Sequence, residues 1–304
     1  MSSKYKRFIK LCKMPQATLK QYVSQQLRLT HPKVISEDGF VFAEGTFPVL
    51  LVAHLDTVHR TLPQQITYPY LDAISSPQGI GGDDRCGVYM IFEVLKKFNC
   101  SVLFCEDEEI GGIGAEKFIE SKYAKSFVPN YIIEFDRRGK NDAVFYNCDN
   151  PKFTEFITKE FYQTAYGSFS DISILAPYIY CAAVNLSCGY YNAHTTSEYV
   201  VFPEMEASIA AACDILARTT DDDRFSYIKA QHKWADDWED FYYNSQDIYE
   251  DLPYVIEYED ERGEIQDFTT FAMSEEEALG KFVIKNPTRC FDDIVSFYVD
   301  EITY

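Results

Sequence analysis

Apolar strand-like runs alternate with helix-like runs over most of the chain, and this alternation constrains the possible fold more than any other feature. Strand patterns cover residues 33–58, 101–106, 131–136 and 179–188, and helical patterns cover 86–98, 111–124, 150–165 and 202–219. The first 30 residues add helical spacing on either side of Pro15. Such alternation predicts an α/β fold, with a mostly parallel central sheet flanked by helices. Ligands of these sheets collect beyond the carboxyl ends of the strands.

The acidic charge of the chain is concentrated in its last part. The net charge is −20, and residues 221–304 carry −16 of it, with 23 acidic and 7 basic side chains. We therefore predict a boundary between a main domain over residues 1–220 and an acidic carboxyl-terminal extension over residues 221–304. Within the extension, a hairpin pattern at 254–271, a capped helical pattern at 274–283 and a strand pattern at 293–302 predict a small acidic α+β module of ββαβ order.

Composition argues against several classes of protein. No run approaches the roughly 18 to 20 apolar residues that a membrane span needs, and the amino-terminal residues contain no apolar signal core. The acidic extension would repel a phosphate backbone, so we expect no nucleic-acid partner and no membrane partner. The nine cysteines form no CxxC pair and several lie in apolar runs, which is typical of reduced core thiols. We therefore expect a cytoplasmic protein, and the sequence gives no indication of its oligomeric state.

Acidic and imidazole side chains follow the predicted strands at or beyond their carboxyl ends. In chain order they are His54 in HLD, Asp83 in GGDD, Glu108 and Glu109 in EDEEIGG, Asp136 in EFD and His194 in AHTTSEYV. Because the carboxyl ends of parallel strands meet at one edge of a sheet, these five motifs are expected to come together there. Two histidines with three carboxylates suit a pair of divalent metal ions, zinc above all, bridged by one carboxylate and one water.

The five ordered motifs, spread over residues 40–218, closely resemble those of the co-catalytic two-zinc exopeptidases. This superfamily includes peptidase T, the carboxypeptidase G type and the single-domain zinc aminopeptidases. The resemblance implies that residues 1–220 form a zinc exopeptidase-like catalytic domain that holds two divalent ions, Zn²⁺ above all. It implies one ligand set of His54, Asp83 and Asp136, and a second set of Asp83, Glu109 and His194, with Asp83 as the bridge.

The same resemblance assigns roles to three neighbours of the ligands. Asp56 would hold the His54 ring in the correct tautomer. Glu108 would be the general base for the bridging water. The peptide bond between Asp83 and Asp84 would be cis.

Several positions keep two interpretations. Glu134 competes with Asp136, because residues two apart on a strand share a face. Arg137 and Arg138 could clamp a substrate carboxylate or be solvated cations. Ser170 and Asp171 could form a turn near the substrate or a helix cap. Tyr190 and Tyr191 could supply an oxyanion donor or serve packing alone. We expect no catalytic role for His31, His59 or His232.

Asp136 and His194 are 58 positions apart, too few for the lid domain that peptidase T and the carboxypeptidase G type insert there. We therefore expect one domain without a lid. The predicted function is metal-dependent hydrolysis of an amide bond, and the resemblance favours an aminopeptidase acting on short peptides, since an aspartate at position 136 goes with that activity. Hydrolysis of an N-acyl amino acid or another small amide is an alternative. A catalytically silent protein that binds a partner through its acidic extension is a third hypothesis.

Overall fold

The structure is a computed structural model that describes residues 3–69, 72–167, 169–230, 252–259, 265–272 and 294–299. The chain divides into two compact units, Met1–Gln231 and His232–Tyr304. The described residues of the first unit form an eight-stranded sheet and a small three-stranded sheet, and those of the second unit form one three-stranded sheet. The first unit contains all the residues that the sequence motifs single out.

The first unit alternates helices and strands as the sequence predicts. Its helices are α1 (Ser3–Cys12), α2 (Gln16–Leu27), α3 (Gly82–Val94), α4 (Ile113–Glu120), α5 (Pro151–Thr158), α6 (Asp171–Ile179) and α7 (Phe202–Ala217), with a 3₁₀ turn at Ala124–Ser126. Its strands are β1 (Val34–Glu37), β2 (Phe40–Ala43), β3 (Phe47–His54), β4 (Ala73–Ser75), β5 (Cys100–Cys105), β6 (Tyr131–Arg137), β7 (Asp142–Val144), β8 (Gln163–Ala165), β9 (Ala183–Ser187), β10 (Tyr190–Tyr191) and β11 (Tyr199–Val201).

An eight-stranded sheet forms the centre of this unit, in the order β1-β2-β5-β3-β6-β9-β7-β8. The four central strands, β5, β3, β6 and β9, are parallel to one another, whereas β1, β2 and β7 add antiparallel pairs. Helices α1, α3 and α7 pack together in one group, and α4 packs with α6 in another. The predicted α/β fold with a mostly parallel, helix-flanked sheet is therefore confirmed.

The apolar run of β3 has a structural reason. This strand lies between β5 and β6, and its residues from Val49 to His54 are all buried. A central parallel strand is covered on both faces, so it shows a continuous apolar run instead of alternation. Helix α3 lies directly on the neighbouring strand, because a Cβ atom at Gly87 would be 2.0 Å from the Phe135 carbonyl oxygen. Only glycine permits this close approach.

The segment between Asp136 and His194 extends the main sheet. It contributes β7, β8 and β9 together with α5 and α6, and its described residues, 137–167 and 169–193, form no separate lid domain. One detail of the prediction is wrong, because the helical pattern at 150–165 ends in a strand. Helix α5 stops at Thr158 and residues 163–165 form β8. Strands of three residues such as β7 and β8 are too short to produce a recognisable period in a sequence.

The structure divides the chain after Gln231, not at the predicted boundary near residue 220. Residues 221–230 are bonded to the first unit, where the Phe225 amide donates to the Asn130 carbonyl group at 2.9 Å and the Ala182 amide donates to the Phe225 carbonyl group at 2.9 Å. The Phe225 ring packs against the rings of Phe153 and Phe156 at centroid distances of 5.1 and 5.2 Å. The sequence pattern does not indicate this attachment, because the acidic run at 221–223 comes before the apolar residues that pack against the first unit.

The described residues of the second unit form a three-stranded antiparallel sheet. Its strands are β12 (Leu252–Glu259), β13 (Ile265–Ala272) and β14 (Ile294–Val299), in the order β13-β12-β14. These strands overlap the predicted hairpin and the predicted final strand. The helix predicted at 274–283 lies outside the described residues, so the ββαβ module stays a prediction.

Two general expectations can also be compared with the described residues. The eight cysteines among them are buried and form no disulfide bond. Within the same part of the chain, no helix combines the length and the apolar character that crossing a membrane would require.

Removal of residues 221–304 should destabilise the first unit more than removal of residues 232–304. The chain that ends at 220 lacks the Phe225 ring and the main-chain hydrogen bonds of residues 221–230. We therefore expect its free energy of unfolding to be about 2–4 kcal/mol lower than that of the 1–231 chain, on the scale of large-to-small core substitutions. Urea denaturation of the two truncated chains, followed by circular dichroism, measures the difference.

Two substitutions in the 1–231 chain measure the contribution of the Phe225 ring to stability separately from that of the rest of the segment. Phe225→Ala should lower the free energy of unfolding by about 2 kcal/mol, since the ring is half-buried. The matched control is Ile228→Ala, because this side chain is 48% exposed and its loss should change stability by less than about 0.5 kcal/mol. Equal stability of the 1–220 and 1–231 chains would contradict the assignment of residues 221–230 to the first unit.

Candidate metal centre

The structure brings all the residues of the predicted site together at the carboxyl edge of the parallel strands. Strand β3 ends at its histidine, β6 carries its aspartate near its end, and the loop after β5 carries the two glutamates. The remaining aspartate lies at the start of α3, and the second histidine follows β10. The side chains gathered in this way are His54, Asp56, Asp83, Glu108, Glu109, Asp136 and His194.

Asp56 holds both the first histidine and the loop with the two glutamates. Its Oδ1 atom lies 3.1 Å from Nδ1 of His54, which leaves Nε2 of the ring directed toward the centre. The same carboxylate accepts the main-chain amides of Glu108 at 3.1 Å and Glu109 at 3.0 Å. Burial is the largest single influence on Asp56 and raises its pKa, but these hydrogen bonds outweigh it and lower the pKa to about 2.

Asp83 lies between the two histidines, and its peptide bond to Asp84 is cis, as the resemblance implies. Its Oδ1 atom is 2.9 Å from Nε2 of His54, and its Oδ2 atom is 3.2 Å from Nε2 of His194. The His54 ring also faces Asp136 Oδ1 at 3.5 Å, and the His194 ring faces Glu109 Oε2 at 3.2 Å. Each oxygen of Asp83 therefore faces a different histidine, and each histidine also faces a second carboxylate.

These separations match those between the ligands of tetrahedral zinc. Bonds of about 2.0–2.2 Å from zinc to nitrogen and oxygen place neighbouring ligand atoms about 3.3 Å apart. The four distances above lie between 2.9 and 3.5 Å. In addition, Oε1 of Glu109 is buried without a hydrogen-bond partner, although buried polar atoms are normally paired. The donor set and its spacing thus fit divalent cations.

Two further carboxylates adjoin the site but have other partners. The ligand-type atoms of His54, Asp84 and Asp136 lie within 4.8 Å of one another. The oxygens of Asp84, however, accept the main-chain amides of His54 at 3.2 Å and Gly87 at 2.8 Å, so this side chain holds the backbone. Glu134 accepts a hydrogen bond from the Ser170 hydroxyl group. Of the two candidates on β6, Asp136 is the one that faces the histidines.

The charges in the pocket favour a cation. Burial, reinforced by the charge of Asp83, raises the pKa of Asp136 to about 7, and burial raises the pKa of Glu108 to about 8. Hydrogen bonds that the His194 ring donates to Asp83 and then to Glu109 raise its pKa to about 11. Burial lowers the pKa of His54, but its carboxylate neighbours outweigh that effect and raise it well above the ordinary value. The buried carboxylates thus require a compensating positive charge, which the protonated imidazoles can supply and a bound divalent cation would supply in their place.

The tyrosines and arginines that the sequence left open have partners in the protein. The Tyr190 hydroxyl group lies 3.1 Å from the carbonyl oxygen of Asp136 and 3.3 Å from its Oδ1 atom. The Tyr191 hydroxyl group donates to Glu204. Both hydroxyl groups thus have protein partners. The Arg137 Nε atom lies 3.5 Å from the carboxylate of Asp142, and the Arg138 side chain is half-buried.

Ser170 and Asp171 lie at the start of α6, and both are fully buried. The Ser170 amide donates to the Ser173 hydroxyl group at 3.3 Å, which is one half of a helix-capping arrangement. The helix-cap interpretation therefore describes Ser170, whereas Asp171 has two carboxylate oxygens without a hydrogen-bond partner.

Glu198 is a residue of the site that the sequence analysis does not identify. It is fully buried beside the Asp83 main chain and contacts the His59 ring. The available signal is its place in AHTTSEYV, a charged residue immediately before an apolar strand. Of the other histidines, His31 is bonded to the Cys100 carbonyl group in the core, and His232 lies outside the described residues.

No protein-family model and no curated protein sequence matches this chain, but solved structures do. The aminopeptidase PepT from Bacillus cereus is 14% identical, with a TM-score of 0.59, over 70% of this chain and 97% of that chain. A Zn-dependent exopeptidase from Parabacteroides distasonis is 13% identical, with a TM-score of 0.53, over 71% and 97%. A glutaminyl cyclase from Bacteroides thetaiotaomicron is 11% identical, with a TM-score of 0.52, over 71% and 95%. The chain therefore has the fold of the zinc exopeptidases, which its motifs resemble.

Proposed function

We propose that this protein is a di-zinc aminopeptidase that removes amino-terminal residues from short peptides. The observation that carries the proposal is the position of Asp83. Its Oδ1 atom lies 2.9 Å from the His54 ring and its Oδ2 atom lies 3.2 Å from the His194 ring, so the carboxylate belongs to two sets of ligand-type side chains. A carboxylate shared between two such sets suits a two-metal hydrolytic site.

The proposed ligands form two sets that share this aspartate. They are His54, Asp83 and Asp136 for one ion, and Asp83, Glu109 and His194 for the other. When bound, the two ions would polarise the scissile carbonyl group and lower the pKa of the attacking water. All these ligands lie in the first unit, and we expect the acidic second unit to supply none.

Glu108 is the side chain proposed to move the proton. Its main-chain amide is fixed by Asp56 at 3.1 Å, next to the Glu109 amide. Burial raises the pKa of Glu108 to about 8, and the positive charge of bound ions would lower it toward neutral, where a carboxylate can both accept and return a proton. In the proposed reaction, Glu108 takes the proton of the attacking water and delivers it to the leaving amine. Asp56 orients the His54 ring and this loop but moves no proton.

Two features support an amino-terminal substrate group, namely the access to the centre and the residue at position 136. The His194 side chain is 56% exposed, so a substrate can reach the ligands from solvent. An aspartate at position 136 also agrees with aminopeptidases, according to the resemblance.

The sequence also predicts two alternatives. Hydrolysis of an N-acyl amino acid would need the same metal chemistry, and one solved structure with this fold is a glutaminyl cyclase. A catalytically silent binding protein is less well supported, because every position of the proposed ligand set and the proposed base is occupied by a suitable residue.

A panel of matched substrates tests the proposal. The purified full-length protein, loaded with Zn²⁺, should hydrolyse di- and tripeptides with a free amino group. It should not hydrolyse the same peptides after N-acetylation, because the ammonium group would be missing. Mass spectrometry of the products identifies the cleaved bond. Cleavage of only the acylated peptides would support the deacylase. Release of ammonia from a peptide with amino-terminal glutamine would support a cyclase, and the absence of any reaction would support the silent protein.

Substitution of Glu108 should separate chemistry from metal binding. Glu108→Gln keeps the shape of the side chain but removes the proton acceptor, so we expect kcat to fall by about 10²- to 10⁴-fold. KM and the bound zinc should change little, because no ligand is lost. Initial-rate kinetics and elemental analysis of the same protein preparation measure both quantities.

Glu109→Gln is the matched neighbour for this experiment. It replaces a charged ligand by a neutral one, so it should weaken the binding of one zinc ion as well as lower activity. If Glu108→Gln loses zinc and Glu109→Gln keeps both ions, the roles of the two glutamates are exchanged. If neither variant affects hydrolysis of any accepted substrate, the proposed mechanism is wrong.

Zinc binding should release protons, because both histidines are held protonated in the metal-free site. The pKa of His194 is raised to about 11 and that of His54 well above its ordinary value, so both rings are in the positively charged imidazolium form at pH 7. Zinc binds neutral imidazole, so we expect about two or more protons to be released when both ions bind. The affinity for zinc should therefore fall as the pH decreases. Titration calorimetry in buffers of different ionisation enthalpy gives the number of protons.

His194→Asn provides the control for this number. It removes one of the two protonated rings, so the release should fall by about one proton. An unchanged release in this variant would show that His194 does not lose a proton on binding, which contradicts its assignment as a ligand.

A further inference from the structure

We propose that Glu198 and His59 form a positioning pair, which fixes the main chain of Asp83 and thereby sets the affinity for both metal ions. This inference rests on the two-metal site proposed above, in which Asp83 is the shared ligand. Neither Glu198 nor His59 belongs to either proposed ligand set, and the sequence predicts no catalytic role for His59.

Glu198 is a fully buried carboxylate, and both of its oxygens accept hydrogen bonds. Oε1 accepts the Asp83 amide at 2.9 Å. Oε2 accepts the Gly81 amide at 2.7 Å and lies 2.8 Å from Nε2 of His59. Burial of a carboxylate is unfavourable unless such partners compensate for the lost water. The partners here are the two main-chain amides that lead into α3 and the ring that faces them.

The small sheet of the first unit places Glu198 in this position. Glu198 directly precedes β11, which pairs with β4 on one side and with β10 on the other. The loop that follows β4 leads to Asp83, so the start of β11 lies beside it. A Cβ atom at Gly82 would lie 3.2 Å from Oε1 of Glu198 and 2.8 Å from the Val200 side chain. The loop and the strand are therefore in close contact at the bridging residue.

His59 closes the other side of the same loop. Its side chain is 8% exposed, and a Cβ atom at Gly79 would lie 2.1 Å from the ring. The ring thus packs against the loop main chain while its Nε2 atom reaches Glu198. Three separate chain segments, carrying His59, Gly81 and Glu198, meet around one carboxylate.

A shift of Asp83 would affect the binding of both ions, whereas a shift of any other proposed ligand would affect one ion. Glu109 and Asp136 each serve one proposed ion, whereas the two oxygens of Asp83 serve one ion each. A shift of the Asp83 main chain would move both oxygens together. Loss of a residue that orients a ligand typically lowers metal affinity about 10- to 100-fold. Loss of Glu198 should therefore weaken both sites, which distinguishes it from loss of an ordinary ligand.

Glu198→Gln in the full-length protein is the main test. Glutamine has the same size, but its amide group replaces one acceptor oxygen by a donor, so at least one of the three hydrogen bonds is lost. We expect about 10- to 100-fold weaker binding of both zinc ions in titration calorimetry with Zn²⁺. His59→Phe keeps a ring and removes its donor, so it should shift both affinities in the same direction by a smaller factor. Glu109→Gln should weaken one site only.

The matched control is Glu93→Gln at the far end of α3. Its carboxylate is also partly buried, with a side-chain exposure of 14%, and it is paired with Arg7 at 2.8 Å and with Lys96. It lies about ten residues along the helix from Asp83, roughly 15 Å away. This variant should bind both zinc ions as the unsubstituted protein does. That result would show that loss of a paired carboxylate on α3 is not by itself sufficient to weaken zinc binding.

Amide hydrogen exchange gives a second readout that needs no metal. In the metal-free protein, the peptide containing residues 81–83 should exchange faster in Glu198→Gln and His59→Phe than in the unsubstituted protein or in Glu93→Gln. Normal affinity for both ions in Glu198→Gln, weakening of one site only, or unchanged exchange would overturn the proposal. If Glu198→Gln does not fold, His59→Phe decides by the same criteria. A protein that binds two zinc ions but cleaves no peptide would refute the proposed function and leave this inference intact.

Discussion

The carboxylate of Asp83 is the interaction on which the rest of the centre depends. It is buried, it faces both histidines, and it belongs to a group of carboxylates that repel one another. A chain keeps such a group together only if the fold places the residues at one edge and a positive charge compensates them. The parallel strands provide the first condition, because the carboxyl ends of β3, β5 and β6 lie side by side. The need for a compensating positive charge explains why carboxyl groups with raised pKa values concentrate here.

Much of the precision of the site comes from polar side chains that bind the main chain. The motif GGDDR shows this, because its last two residues hold the end of β3. Asp84 accepts the amide of His54 at 3.2 Å, and the buried Arg85 donates to the carbonyl groups of Leu55 and Asp56 at 2.8 Å each. The residues on either side of the first histidine are thus fixed from α3. The strand end that carries His54 is held in place by the same segment that supplies Asp83, the proposed shared ligand.

The sequence predicts the central architecture and the candidate ligands because both depend on local patterns. Long apolar runs such as β3 mark central strands, and charged residues immediately after them mark the functional edge. The short strands β7 and β8 could not be predicted, since three residues show no period and owe their conformation to their neighbours in the sheet. The role of Glu198 also depends on tertiary contacts. Its partners are more than a hundred positions away in the chain, and no spacing within AHTTSEYV reveals them.

The segment between Asp136 and His194 has a consequence for the mechanics of the site. In peptidase T and the carboxypeptidase G type, which the motifs resemble, a lid domain is inserted between these two positions. Here β7, β8 and β9 of this segment belong to the same sheet as β3, β5 and β6, and β10 belongs to the small sheet with β11 and β4. The described residues of the segment, 137–167 and 169–193, therefore join the two halves of the centre within one unit. The spacing between the candidate ligands is thus fixed by the packing of that unit, and solvent reaches them on the side where His194 is exposed.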